Sequence, residues 1–377
     1  MSKFSIEADP SNNNLFYFNG TQFNSSDTVA VPAEIDTTLQ TPLLENSSEY
    51  EVSVMRLLVS GNALPIFFVD TLTDAPPYIT KYTVTISYNG FTETEPITYV
   101  PLNNVNINAF NGDQIFNVYT YQEWLDYVNA AYLACYDRLI ISGSGIALVA
   151  SSPPIFTYDA ATNFISYYVQ SSYETSLPNP INIYMNKLLF DFFTSFEAFY
   201  ASDPYFNGDA EGVKLITSAT NAVLLSSVGN VPPAAGSISP IAPFVVWKVQ
   251  QEYVSVYSWN SIRSLLLTSN IGTIPESIPN LGEASNFDAS RSSLQILTDF
   301  DLDFSPEIRS GARGYIQYVP RSEYRWTTIV RGGSLNRVNV KVQFVTFTNV
   351  VRNFYINPNF FFTIKLLFKK KVQAIKI

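Results

Sequence analysis

Few residues in this chain have the types and spacing for chemistry. Asp299, Asp301 and Asp303 alternate in "TDFDLDFSPE", Cys135 is the only cysteine, and there is no histidine. A calcium loop of the EF-hand kind needs glycine at its sixth position and a bidentate glutamate at its twelfth. Phe304 and Ser310 stand there instead, so a solvated strand end is the better reading of the three aspartates. Without histidine there is no Ser-His-Asp or Cys-His pair, no His-based zinc site and no imidazole acid–base catalysis. Cys135 falls on the apolar stripe of a helical pattern with no base to activate it, which reads as a packed thiol. The glycine clusters at Gly143–Gly145 and Arg331–Gly333 match neither a dinucleotide fingerprint nor a P-loop, and turn geometry accounts for both. No cofactor, no metal and no enzymatic activity are expected.

Charge carries more information. The chain has 22 Lys/Arg and 32 Asp/Glu, a net charge of −10, yet from Arg309 to its end it has 13 basic residues and a single acid, Glu323. Such asymmetry points to a polyanion or an acidic partner surface at one end of the molecule. The competing reading is strand solvation: in "FFTIKLLFKKK" Ile364, Leu366 and Phe368 face one way and Lys365 and Lys369 the other. Lysines of that kind also block edge-to-edge aggregation. In "SEYRWTTIVRGGSLNRVNVKVQFVTF" Val338, Val340, Val342 and Phe344 form a core face around a Gly332-Gly333 corner. Arg325, Arg331 and Arg337 then fall near strand ends. These three, with Lys369, Lys370 and Lys371, are the candidate contacts, for assembly first and for a genome second.

The elements that position these residues are mostly strands. Many short β-branched and aromatic runs, separated by Gly, Pro and Asn, predict an antiparallel sandwich or jelly roll. In "KYTVTISYNGF" Tyr82, Val84, Ile86 and Tyr88 share a face, and Asn89-Gly90 predicts a hairpin. In "EYEVSVMRLLVSG" Arg56 falls on the face of Tyr50, Val52 and Val54, which requires a sheet end or a buried partner. Residues 1 to about 48 read as an extended arm with at most a short strand.

Two helices are expected. "TYQEWLDYVNAAYLACYDRL" has Thr120 and Glu123 at capping-box spacing and an apolar stripe of Leu125, Val128, Tyr132, Cys135 and Leu139. "INIYMNKLLFDFFTSFEAFY" has Met185, Leu188, Phe192, Phe196 and Phe199. Between them "PPIFTYDAATNFISYYV" predicts a hairpin turning at Asp159–Asn163, and "EYVSVYSW" reads as a strand. The Pro/Gly/Ser-rich "SSVGNVPPAAGSISPIAP" is the best linker. Charged residues are only 14% and aromatics 15% of the chain, a balance that suits surface buried in an assembly. No secretory signal and no membrane span are expected, and the Asn-x-Ser/Thr triplets at Asn19, Asn24 and Asn46 read as chance matches.

Several runs, in their order, resemble the penton (minor capsid) proteins of virophages and related Polinton-like elements. "VPAEIDTTLQTPLLENSSEYEVSVMRLLVSGNALPIF" looks like their first jelly-roll strand with its lead-in. "YQEWLDYVN", "PPIFTYD" and "YMNKLLFDFFTSF" are similar to their middle segments. "QEYVSVYSWNSIRSLLLTS", "LQILTDF", "EYRWTTI", "SLNRVNVKVQF" and "IKLLFKKK" resemble their C-terminal strands.

The resemblance implies a mainly β chain: one antiparallel jelly roll with an inserted second domain of helices and short strands. The expected division is an arm and first strands at 1–110, an insertion at 111–249 and the remaining strands at 250–377. The implied function is a capsid protein of the virion, a homopentamer closing the five-fold vertices among major capsid protein capsomers. Nonspecific contact with packaged DNA and assembly in the host cytoplasm or a viral factory go with it. The alternative is a glycan- or receptor-binding β-sandwich of a fibre or lectin-like module.

Overall fold

The computed structural model describes residues 2–9, 14–27, 30–60, 64–73, 75–100, 115–144, 151–201, 212–225, 246–271, 296–301, 315–320, 325–329, 332–347 and 351–371. The first strands are β1 (Ser2–Ala8), β2 (Leu15–Phe23), β3 (Val31–Pro32), β4 (Glu34–Thr38) and β5 (Tyr50–Ser60). Then come β6 (Phe67–Asp70), β7 (Tyr78–Tyr88), β8 (Phe91–Tyr99), β9 (Ile115–Val118) and helix α1 (Tyr121–Leu139). β10 (Ile155–Tyr158), β11 (Ile165–Gln170), β12 (Asn182–Asn186), β13 (Ala198–Ala201), β14 (Gly212–Leu215), β15 (Ala222–Leu225) and β16 (Val246–Gln250) complete the middle. The last are β17 (Ile262–Ser269), β18 (Ile296–Asp301), β19 (Tyr315–Tyr318), β20 (Thr327–Thr328), β21 (Arg337–Thr346), β22 (Val351–Asn353), β23 (Tyr355–Ile356) and β24 (Phe361–Lys370). The chain is mainly β.

The chain divides into two compact units. The first comprises Met1–Pro65, Leu102–Ile107 and Ser261–Ile377; the second comprises Ile66–Pro101 and Asn108–Asn260. Strands β7 and β8, which precede residue 110, thus belong to the same unit as α1.

In the first unit, one sheet runs β1-β2-β24-β5-β19 with β20 also on β5. A second runs β4-β21-β17-β18 with β22 also on β21. The alternation read in the sequence sets their faces, because successive side chains of a strand point to opposite sides. Val338, Val340, Val342 and Phe344 are buried, as are Ile364, Leu366 and Phe368. The two sheets approach closely at Gly20 of β2, where a Cβ would lie 2.6 Å from Ile35 Cδ1 of β4. Glycine is what that contact admits.

Two readings of this unit are corrected. The N-terminal segment is not an arm: β2 pairs along its whole length with β24, and β1 pairs with β2. Its polar, Asn-rich sequence hid this, because the strand's partner lies more than 300 residues away. Arg56 has neither a sheet end nor, among the described residues, a buried partner. Val54 stands opposite Leu366 and Arg56 opposite Lys365, so Met55 is an extra residue. This bulge shifts the alternation by one, turning Arg56 outward and carrying Leu57 and Val59 into the core.

The second unit contains a sheet β13-β14-β12-β7-β8, a sheet β10-β11-β16-β15 and the pair β6-β9. Helix α1 packs against β7, β8 and β10. Thr120 caps it, its hydroxyl accepting from the Glu123 N–H at 3.1 Å, while the Glu123 carboxylate accepts from the Tyr119 N–H. The stripe Leu125, Val128, Tyr132, Cys135 and Leu139 is fully buried. Phe67, Trp124, Phe192 and Trp259 form a ring cluster, with centroids 5.4 Å apart for Phe67–Trp124 and 5.2 Å for Phe192–Trp259. Asn89 and Gly90 turn the β7–β8 hairpin with φ of 52° and 81°, and the β10–β11 hairpin turns where expected, with Asn163 at φ 62°.

The second expected helix is mostly absent. Asn182–Asn186 is a strand, Lys187–Phe190 is a single helical turn capped by Asn186, and Ala198–Ala201 is a strand again. Leu188 and Phe199 of the supposed stripe are exposed. A short apolar run fits both periods, and pairing of β12 with β7 and β14 decides for strand. "EYVSVYSW" is likewise no strand but a 3-10 turn at Val256–Trp259. It is held where the Ser255 hydroxyl and Trp259 Nε1–H both donate to the Phe192 carbonyl, at 2.9 and 2.7 Å.

Candidate assembly surface

The pairing of distant strands explains the charge asymmetry. β4 lies beside β21, and β24 lies beside β2 and β5, so the basic β21 runs next to the acidic β4 and the basic end of β24 meets Glu51 and Glu49. Arg337 makes a two-pronged contact with Asp36, with Nε 2.8 Å from Oδ1. Lys341 pairs with Glu34 at 3.1 Å, Lys370 with Glu49 at 3.2 Å, and Arg325 with Asp299. The Arg337 guanidinium holds the Asp36 carboxyl below the usual range, and hydrogen bonds from Lys370 and Asn46 do the same for Glu49. Lys371 donates from Nζ to the Ser48 carbonyl at 2.7 Å and from its backbone N–H to Glu49 O at 2.8 Å.

By unit, the first has 17 Lys/Arg against 16 Asp/Glu, net +1, and the second 5 against 16, net −11. The imbalance along the sequence becomes near-neutrality in one unit and strong acidity in the other.

The structure does not gather the five described candidate residues into one cluster. Arg337 opens β21 in one sheet, and Lys369 and Lys370 end β24 in the other. Lys369 Nζ lies 5.3 Å from the Trp326 ring centre, next to Arg325 in sequence. Arg331 lies outside the described residues.

Sequence reasoning missed a second basic pair: Lys365 and Arg56 stand directly opposite each other on β24 and β5. Lys365 Nζ sits 4.2 Å from the Tyr17 ring centre, and neither residue has an acidic partner among the described residues. The bulge at Met55 puts Arg56 there, and no local signal announces a bulge at a methionine between strand residues.

Among the described residues the other candidates are paired or packed. Asp299 is engaged by Arg325, Asp303 lies outside the described residues, and no group of three or more metal-binding side chains occurs among the described residues. Cys135 is buried, its thiol donating to Val84 O at 3.5 Å, and burial pushes its pKa up to about 12. Asn24 of the glycosylation-like triplets is buried and donates to the Ile356 carbonyl. Among the described residues no helix is long and apolar enough to cross a membrane.

Comparison with known proteins places this arrangement. Structural protein V19 of Sputnik virophage is 28% identical over 222 residues, covering 57% of this chain and 94% of that protein. A chain of the cryo-EM structure of the Sputnik virophage superposes with a TM-score of 0.67 at 24% identity, over 95% of this chain and 98% of that one. The crystal structure of mavirus penton protein superposes with a TM-score of 0.56 at 14% identity, over 95% and 99%. At those identities the two structures show a shared fold. The family described as Sputnik minor capsid protein V18/19 matches residues 15–370, nearly the whole chain. The chain belongs to that family of virophage minor capsid proteins, and its role is a structural one in the capsid.

Proposed function

We propose that the chain is a penton, five copies of which close each five-fold vertex of an icosahedral virion among major capsid protein capsomers. The observation that carries this reading is strand order. β2-β24-β5-β19 in one sheet and β4-β21-β17-β18 in the other is the order that two interleaved Greek keys generate, a single eight-stranded jelly roll. Its sequence is interrupted at length between β5 and β17, where residues 66–101 and 108–260 supply the second unit. We read that unit as the inserted domain, with boundaries wider than 111–249. Its net charge of −11 suits a solvated outer surface.

The role is non-enzymatic: a chain without histidine whose cysteine is buried carries burial and pairing rather than turnover. Arg325, Arg331, Arg337 and Lys369 to Lys371 serve as assembly contacts on this reading. Arg337 and Lys370 contribute first to their own fold, since Asp36 and Glu49 already hold them. Contact with packaged DNA is nonspecific and weakens steeply with salt. Assembly takes place in the host cytoplasm or a viral factory.

Native mass spectrometry of the purified protein tests the reading. A species of five 42.2-kDa chains is expected, and a stable monomer at capsid-assembly concentrations overturns it.

A further inference from the structure

β1 is a strand with no layer behind it. All seven of its residues are exposed, and its register with β2 is unbroken from Ser2 to Ala8. β2 lies over β4, as the Gly20–Ile35 approach records, and β4 is an edge strand of its own sheet. β1 therefore reaches past the opposite sheet.

Phe4 and Ile6 stand opposite Gly20 and Phe18, so they share the core-facing side. Phe4 stacks on Phe18 with ring centres 6.0 Å apart. Even so, Phe4 remains 45% and Ile6 47% exposed. The edge has no proline or bulge to blunt it, and Lys3 and Glu7 point to the other face. Natural sheets protect a free edge by prolines, bulges and charges; here charge guards one face, and Phe4 and Ile6 leave the other apolar and open to a covering partner.

The same sheet has a second exposed apolar strip, on its other face. Phe361 precedes the buried Phe362, and Tyr315 precedes the buried Ile316, so both point outward. Phe23 stands opposite Phe361, and the Tyr315 ring lies 5.3 Å from the Phe361 ring. Phe23 is 40% and Tyr315 45% exposed. The two strips lie on opposite faces of one sheet and cannot meet within one chain. Between two copies they can, the overhang of one passing over the outer face of the next.

We propose that the β1 overhang, through Phe4 and Ile6, covers the Phe23–Phe361–Tyr315 row of a neighbouring copy of this chain. The contact joins two different patches, so repetition closes a ring when the rotation allows. This inference rests on the homopentamer reading and gives it a specific interface.

Cysteine cross-linking tests it against a quiet background, because the native Cys135 is buried. Ile6→Cys and Tyr315→Cys are introduced singly and together, and the assembled protein is oxidised. The double variant is expected to give a ladder up to five linked chains, and neither single variant any cross-link. As a second arm, Phe4→Ser with Ile6→Ser is expected to release monomers whose circular dichroism matches the parent. Cross-linked dimers as the end point of the double variant overturn the proposal in favour of a two-fold exchange. Dimers from Ile6→Cys alone overturn it in favour of edge-to-edge pairing. A pentamer by native mass with no cross-link overturns the contact and leaves the pentamer standing. A native mass of one chain removes the pentamer and the contact together.

Discussion

The guanidinium of Arg337 finds its carboxylate 301 residues away, at Asp36. Exposed pairs of this kind contribute little individually; this one joins the acidic β4 to the basic β21. Because the folded Asp36 carboxyl titrates below its ordinary value of 3.8, the pair's stabilisation is present above that pH. It is lost as pH falls through the lowered folded value. Arg337→Gln should therefore lower the Tm only slightly at pH 7, by a margin that fades below pH 3.8 in thermal melts across pH. Cys135 gives the complementary case. With its pKa pushed up to about 12 by burial, the thiol should stay unmodified by iodoacetamide at pH 8 in native protein and react fully once unfolded, as read by mass spectrometry. The packed state of Cys135 was legible from its place on an apolar helical stripe. The Arg337–Asp36 pair was not, because nothing local in either strand announces a partner so distant in sequence.

Elements were legible where one period dominated and local chemistry agreed with it. Helix α1 had stripe and cap together, Asn89-Gly90 had the turn chemistry, and β21 had clean alternation; all three formed as read. Residues 182–201 had an apolar run but no decisive period, and tertiary pairing chose strand. The Met55 bulge was invisible for a related reason: it breaks a period instead of following one. Deleting Met55 should regularise the strand, with Arg56 following Val54 opposite Lys365 and with Leu57 and Val59 still facing the core. Folded protein with the parent's circular dichroism should result, whereas deleting Leu58 should turn the buried Val59 outward and cost soluble folded protein. At the start of α1, Thr120→Ala removes a cap and should cost about 1 kcal/mol, read by chemical denaturation of the full chain.

At the scale of the molecule, the uneven charge of the sequence turns into two units of different character, one near neutrality and one at −11. The mainly β class could be anticipated from many short strands and from fragments resembling a known family. The boundary between the two units could not, because β7 and β8 alternate much as the strands of the first unit do and differ in their partners. A single roll interrupted by an acidic unit is the form proposed here for a vertex protein. The most direct test is a particle reconstruction with this chain fitted into the density. The account predicts five copies around each five-fold axis, with β1 of each overlying its neighbour. Density for the chain away from those axes, or none at them, would contradict it.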